Sequence, residues 1–203
     1  MRFFTRNEVV GIFLIFAVLL TFSYINFGIS LRRSRDATRR GDLGTIYNSL
    51  ESFFSDYGFF PPSNSEGKIV ACKASNFDAV IAEVAKLDQF NMELFISGLA
   101  PCDWGWDGLH DFNDGEVYLA TLPTDPKHQE GLRYFYISNG RRYQIYAALE
   151  GGNDEQGYNE AIIKRNLNCG VAVCNFGRSF SVTPLDKSLS EYENELLNQR
   201  GNQ

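Results

Sequence analysis

An α+β fold, one long N-terminal helix packed on a small antiparallel sheet, is predicted by three features of the chain. Residues 9–31 form an uncharged apolar run, an apolar stripe at helical spacing continues from it to Tyr57, and two aromatic, β-branched runs flank a short turn between 132 and 149. With 203 residues there is room for one compact domain and an appendage. A hydrophobic content of 44% supplies a core, and 18 Gly with 6 Pro are too few for a low-complexity or collagenous chain.

The run VVGIFLIFAVLLTFSYINFGISL carries no charge over 23 residues. As a helix it would span about 34 Å, enough to cross a bilayer. A secretory signal has a shorter apolar stretch, roughly 7–15 residues, and a small-residue cleavage site, so this helix is expected to be retained. A buried core helix of this length would keep a polar face, and this run has none. Residues 1–8 then read as a short leader or flank and 9–31 as a transmembrane span.

The net charge of −6 divides unevenly: the first 41 residues hold seven Arg against Glu8 and Asp36, and the remainder is acidic. Arg32, Arg33, Arg35, Arg39 and Arg40 outnumber Arg2 and Arg6, which by the positive-inside rule keeps the C-terminal side cytoplasmic. Four cysteines, all in the polar part, suit an oxidising exterior instead. Charge and cysteine placement point opposite ways.

After the arginines, Leu43, Ile46, Tyr47, Leu50, Phe53, Phe54 and Tyr57 fall on one helical face. Only glycines interrupt the pattern between 9 and 56, so the span and its amphipathic continuation at 32–60 form one rod of about 50 residues. Gly58 and Pro61-Pro62 end it, and the stripe is expected to pack on the chain's own domain, residues 61–184. Residues 63–116 read as a surface insertion with a helix at 77–90. A hairpin follows, 132–138 and 143–149 about Asn139-Gly140, with a third strand near 170–174 or 179–183. The tail, 185–203, is polar, helical over 188–197 and loosely attached.

Cys169 and Cys174 enclose four residues and could close a tight loop, leaving Cys72 with Cys102, although three connectivities are open. Zinc is the weaker reading, because the chain has two His and no C-x-x-C. Trp104 and Trp106 read as packing or turn residues before a sugar-stacking platform. No G-x-S-x-G, H-E-x-x-H, P-loop or dinucleotide fingerprint occurs, so the chain is not expected to be an enzyme.

Two stretches carry a resemblance. Phe4, Thr5 and Glu8 open the apolar helix as Phe-Thr-x-x-Glu, and RDATRRGDLGTIYNSLESFFSDYGFFPP closes it in a way that is similar to an amphipathic helix ending in Tyr-x-x-Asp-x-Gly-x-Tyr-Pro. Leu122-Pro123-Thr124-Asp125-Pro126 then precedes the Tyr134 to Tyr146 hairpin. In this order they resemble the type IV pilins and the pseudopilins of type II secretion, over most of 3–62 and 117–160. The family's processing peptidase cuts after a glycine, whereas Phe3 precedes Phe4 here.

The resemblance implies a fibre subunit, stored in the inner membrane with its C-terminal domain extracytoplasmic. It would be assembled helix on helix with copies of itself and other pilin-like subunits by a platform in that membrane. It implies a methylated N-terminus at Phe4 whose amine neutralises Glu8 of a neighbour, a carboxylate that is costly at the lip of an apolar span unless paired. Together with the preference of hard cations for oxygen ligands, it points to calcium at Glu150, Asn153, Asp154, Glu155 and Asn159. The arginine cluster would meet anionic lipid headgroups, or carboxylates such as Asp42 and Glu51 of neighbouring subunits. Related fibres take up DNA, but five arginines on an acidic domain are no interleaved basic and aromatic patch. The alternative function is a single-pass, membrane-anchored extracellular domain that never polymerises and binds a ligand with loops 97–116 and 150–160.

Overall fold

A computed structural model describes residues 5–112 and 115–201, leaving aside the side chain of Asp154. Helix α1 runs over Arg6–Tyr57, 52 residues and about 78 Å in one piece. It ends where expected: Gly58 takes φ 74°, a left-handed conformation that glycine adopts without a Cβ clash, and its N–H donates to the Phe54 carbonyl at 2.8 Å.

The second half of α1 lies on three small antiparallel sheets. Leu43, Ile46, Leu50 and Phe53 are completely buried, each contributing about 1.5–3 kcal/mol relative to exposure. Strand β1 (Val70–Lys73) pairs with β2 (Leu99–Pro101), and helices α2 (Phe77–Val84) and α3 (Met92–Ser97) lie between them in sequence. Strand β3 (Leu109–His110) pairs with β4 (Val117–Leu119). The predicted helix at 77–90 is thus shorter and followed by a second one. The stretch read as a surface insertion belongs to the core, since Phe77, Phe95, Leu99, Cys102 and Leu109 join the cluster around α1.

The hairpin forms as β5 (Phe135–Ser138) and β6 (Tyr143–Ala147), with Phe135 opposite Tyr146 and Ser138 opposite Tyr143. Asn139 shapes its turn, its Oδ1 accepting the N–H groups of Arg141 and Arg142. The third strand is β7 (Phe176–Ser179), which begins after the first expected range and meets the second only at Ser179. Central β6 is buried on both faces, and its alternation sorts the core. Tyr143, Ile145 and Ala147 face α1, whereas Tyr146 joins Ile162 of the short helix α4 (Glu160–Ile163) and the Cys169–Cys174 disulfide on the far side. Cys72 and Cys102 form the other disulfide, linking β1 to the residue after β2.

The tail is docked rather than loose, ending in α5 (Leu189–Gly201). Gln144 on the outer face of β6 donates through Nε2 to the carbonyls of Pro184 and Lys187, and the Tyr146 hydroxyl donates to Leu185. Farther on, Asn139 donates to Glu193, and the Arg142 guanidinium sits 5.1 Å from the Tyr192 ring centre.

Candidate functional site

The first half of α1 is covered by nothing in the described chain. Its most apolar 18-residue window has a mean hydropathy of 2.3 and no buried residue, with Phe13 78% and Tyr24 82% exposed. A core helix would be buried, so this is the one helix among the described residues long and apolar enough to cross a membrane, and it fits a single-pass anchor. Its polar side chains are satisfied within the helix: Thr21 donates to the Ala17 carbonyl at 2.9 Å and Asn26 to that of Phe22 at 3.0 Å. At the N-terminal lip the Thr5 N–H donates to Glu8 Oε2 at 2.7 Å, so this carboxylate caps its own helix. Phe4, its expected partner, lies outside the described residues.

Between the uncovered half and the domain sits an ionic clasp. Asp36 and Arg39 occupy the buried face of α1 in phase with Leu43, Ile46, Leu50 and Phe53, and both are completely buried. Arg39 grips Asp125 with two hydrogen bonds, Nε to Oδ2 at 2.7 Å and Nη2 to Oδ1 at 2.9 Å. Its Nη1 reaches Asp36 at 2.7 Å and Glu150 at 2.8 Å. Asp36 also accepts the backbone N–H groups of Glu150 and Gly151, so α1 is bonded to the loop after β6 by main chain and side chain together. One turn earlier Arg35 holds Glu150 bidentately at 2.7 and 2.6 Å.

The loop arrives there for a local reason. The buried Asn175 side chain, next to Cys174, donates to the Leu149 carbonyl at 2.9 Å and accepts its N–H at 2.7 Å, prolonging the sheet by one more pair. Asp125 is fixed likewise, accepting the Lys127 N–H at 2.8 Å. Such a centre is tolerable in low dielectric only because each charge is matched and hydrogen-bonded. The Arg35 and Arg39 guanidinium groups hold the Glu150 carboxyl down at about 2, against burial, and Arg39 itself, despite burial, is pushed above the usual arginine value by Asp125 and Glu150.

Four of the five residues expected to bind calcium are therefore otherwise engaged, and the side chain of the fifth, Asp154, lies outside the described residues. Glu150 faces Arg35 and Arg39, Glu155 lies 3.3 Å from Arg40 and 3.9 Å from Arg32, and Asn153 donates to Glu160. Asn159 caps α4 by accepting the Ala161 N–H. Guanidinium groups face two of the candidates, Glu150 and Glu155, and no cluster of three or more His, Cys, Asp or Glu suited to a metal occurs among the described residues. Within the chain, Asp42 and Glu51 accept the hydroxyls of Tyr134 and Tyr143.

The roles of Asp36, Arg39 and Asp125 escaped sequence reasoning. One signal was available: an Asp and an Arg three apart extend an apolar stripe in phase, where solvated charges would fall out of phase. Comparisons with known protein families, characterised proteins and solved structures return no match for this chain.

Proposed function

We propose that this chain is the structural, non-catalytic subunit of a pilin-like surface fibre, of the type IV pilus or pseudopilus kind. Residues 9–31 hold it in the cytoplasmic membrane until the helix packs against those of other subunits, with the domain outside. The observation that carries this reading is the contrast within α1, one continuous helix whose apolar first half is uncovered while its second half is fixed to a folded domain. Drawn out of lipid, an apolar surface of that size needs an equally apolar cover, and the same helix of further copies supplies it. The clasp sets the domain's angle on the rod, so that packing rods also arrays domains. Two disulfides suit a domain held in an oxidising compartment. Arg35, Arg39 and Arg40, with their carboxylate partners in the domain, are drawn away from lipid headgroups.

The test is the N-terminus and intact mass of the protein from native-cell membranes and from sheared surface material. A chain beginning at methylated Phe4 in the sheared fraction supports processing, outward topology and assembly together. An intact Met1 in sheared fibres keeps the fibre and leaves Glu8 as a cap of its own helix. A chain confined to membranes overturns the reading in favour of an anchored, non-polymerising binding domain.

A further inference from the structure

The two tryptophans of the turn at 103–107 do opposite things. Trp104 packs inward, its ring edge-on to Tyr134 with centres 5.9 Å apart. Trp106 is 86% exposed, more than any other large apolar side chain among the described residues, including those of the uncovered helix. Among the described residues its ring stacks on no other aromatic.

Nor is this ring on a loose loop. Gly105 takes φ 83°, and a Cβ there would lie 2.6 Å from the Thr124 methyl. Its N–H donates to the Leu122 carbonyl at 2.7 Å, the Leu122 N–H returns to Asp107 at 2.7 Å, and the Asp103 N–H is held by Asp107 Oδ2 at 2.6 Å. Cys102, one residue before the turn, is tied by its disulfide to Cys72 and by its N–H to Ile69. The backbone that carries this exposed aromatic plane is thus fixed, which lowers the entropy lost when something settles on it.

Beside the ring runs an open groove of about 630 Å³, whose walls include Lys73, Asp107 and His110 along with Pro101 and Ala120. That volume falls within the roughly 300–1,000 Å³ of small-molecule sites. The groove offers the exposed indole face and the half-buried Phe112 ring, an amine, an imidazole and two carboxylates, Asp107 and Asp111, and it is open to solvent. An aliphatic ligand would need enclosure, and a phosphorylated one would meet Asp107 and Asp111 with a single lysine to offset them. A pyranose matches what is present: an apolar C–H face to lie on the indole, and a rim of hydroxyls that both donate and accept.

From this geometry we infer that the Trp106 groove is a saccharide-binding site. The site lies on the domain and stands whether or not α1 polymerises.

The probes are the β-1,4-linked tetramers of glucose and of N-acetylglucosamine, and an array of neutral, amino and acidic hexose oligosaccharides. The full chain is applied to them in a detergent without a sugar headgroup, so that the detergent does not compete. The wild-type protein is expected to be retained by at least one saccharide class. Trp106→Ala, at an exposed position and with an unchanged melting temperature, weakens that retention roughly tenfold or more, and Trp106→Phe restores most of it. His110→Ala weakens it a few-fold without abolishing it. No retention of the folded wild type anywhere on the array overturns the proposal, as does equal retention of folded Trp106→Ala. Loss of fibres in Trp106→Ala without any saccharide binding also overturns it and makes the ring a contact between subunits.

Discussion

The two halves of α1 share one backbone and meet opposite surroundings. Residues 36–53 turn a continuous face inward, so that Asp36, Arg39, Leu43, Ile46, Leu50 and Phe53 are buried on the domain. Residues 9–31 are apolar on every side and touch nothing within the described chain. Apolar character alone does not say what a helix packs on; the arrangement of apolar residues around the axis does. A stripe finds the chain's own core, whereas an all-round apolar surface requires lipid or other copies. Where the helix changes from one regime to the other the chain puts neither apolar contact nor bare charge, but a buried ionic centre that ties the rod to two distant loops.

That centre is where the comparison breaks most sharply. Arg39→Ala would leave Asp36 and Asp125 buried and uncompensated and is expected to cost about 3–5 kcal/mol, read by chemical denaturation of the detergent-solubilised chain. Arg33→Ala, on the exposed face of the same helix, should move stability by no more than about 0.5 kcal/mol. If both variants are equally mild, the clasp does not hold the packed half in place.

The packed half also leans on a domain closed by loops of unequal length. Cys72 and Cys102 are 30 residues apart, Cys169 and Cys174 only 5. On loop-closure entropy the first staple is worth about 3.5 kcal/mol and the second about 2 kcal/mol. Replacing each pair by Ser should therefore lower the melting temperature more for Cys72/Cys102, with no change in membrane insertion of either variant. A reversed order would mean that the Cys169–Cys174 loop, through its neighbour Asn175, stabilises the placement of Glu150 beyond its entropy.

Much of this was legible in the sequence, for identifiable reasons. The rod, its stop at Gly58 and the hairpin each follow from spacing within a short stretch, where local geometry decides, whereas the cysteine pairing stayed open among three connectivities because Cys72 and Cys102 are 30 residues apart. The strand at Phe176–Ser179 was misplaced because FGRS, four residues with a glycine and two polar side chains, carries no alternation to read. Residues 63–116 were taken for a surface insertion because their strands are two to four residues long, too short for a period, although Phe77, Phe95 and Leu109 bury deeply. The clasp was hidden by distance: Asp125 lies 86 residues and Glu150 111 residues from Arg39, and nothing local marks either carboxylate as its partner. The five calcium candidates were read as an oxygen-rich loop because spacing in one segment cannot show arginines brought in from another.

Acid provides a graded version of the first break. The Glu150 carboxyl sits at about 2, below its ordinary 4.5, so its contribution to stability is complete above about pH 4.5 and is lost as the pH falls toward about 2. Because this carboxylate is partly open to solvent, screening should hold the loss to about 2 kcal/mol. Glu150→Gln should flatten the stability profile over that interval and lower it at neutral pH. An unaltered profile would place the acid sensitivity elsewhere in the domain.

The smallest expected effect lies at the other end of the rod. Leu19→Ala removes apolar surface from a side chain that is 57% exposed and touches no part of the domain, so the domain's melting temperature should not move, the change staying within about 0.5 kcal/mol. Leu50→Ala, the same chemical change on the packed half, opens a cavity in the core and should cost about 2–5 kcal/mol. Because the two substitutions share residue type, helix and lost volume, their difference measures the domain's packing alone. Ile15→Lys extends the contrast, since a charge within the uncovered half should leave the domain's melting temperature unmoved and abolish sheared fibres. Normal insertion of that variant with fibres intact would mean that the uncovered half meets only lipid and that subunits join through the domain.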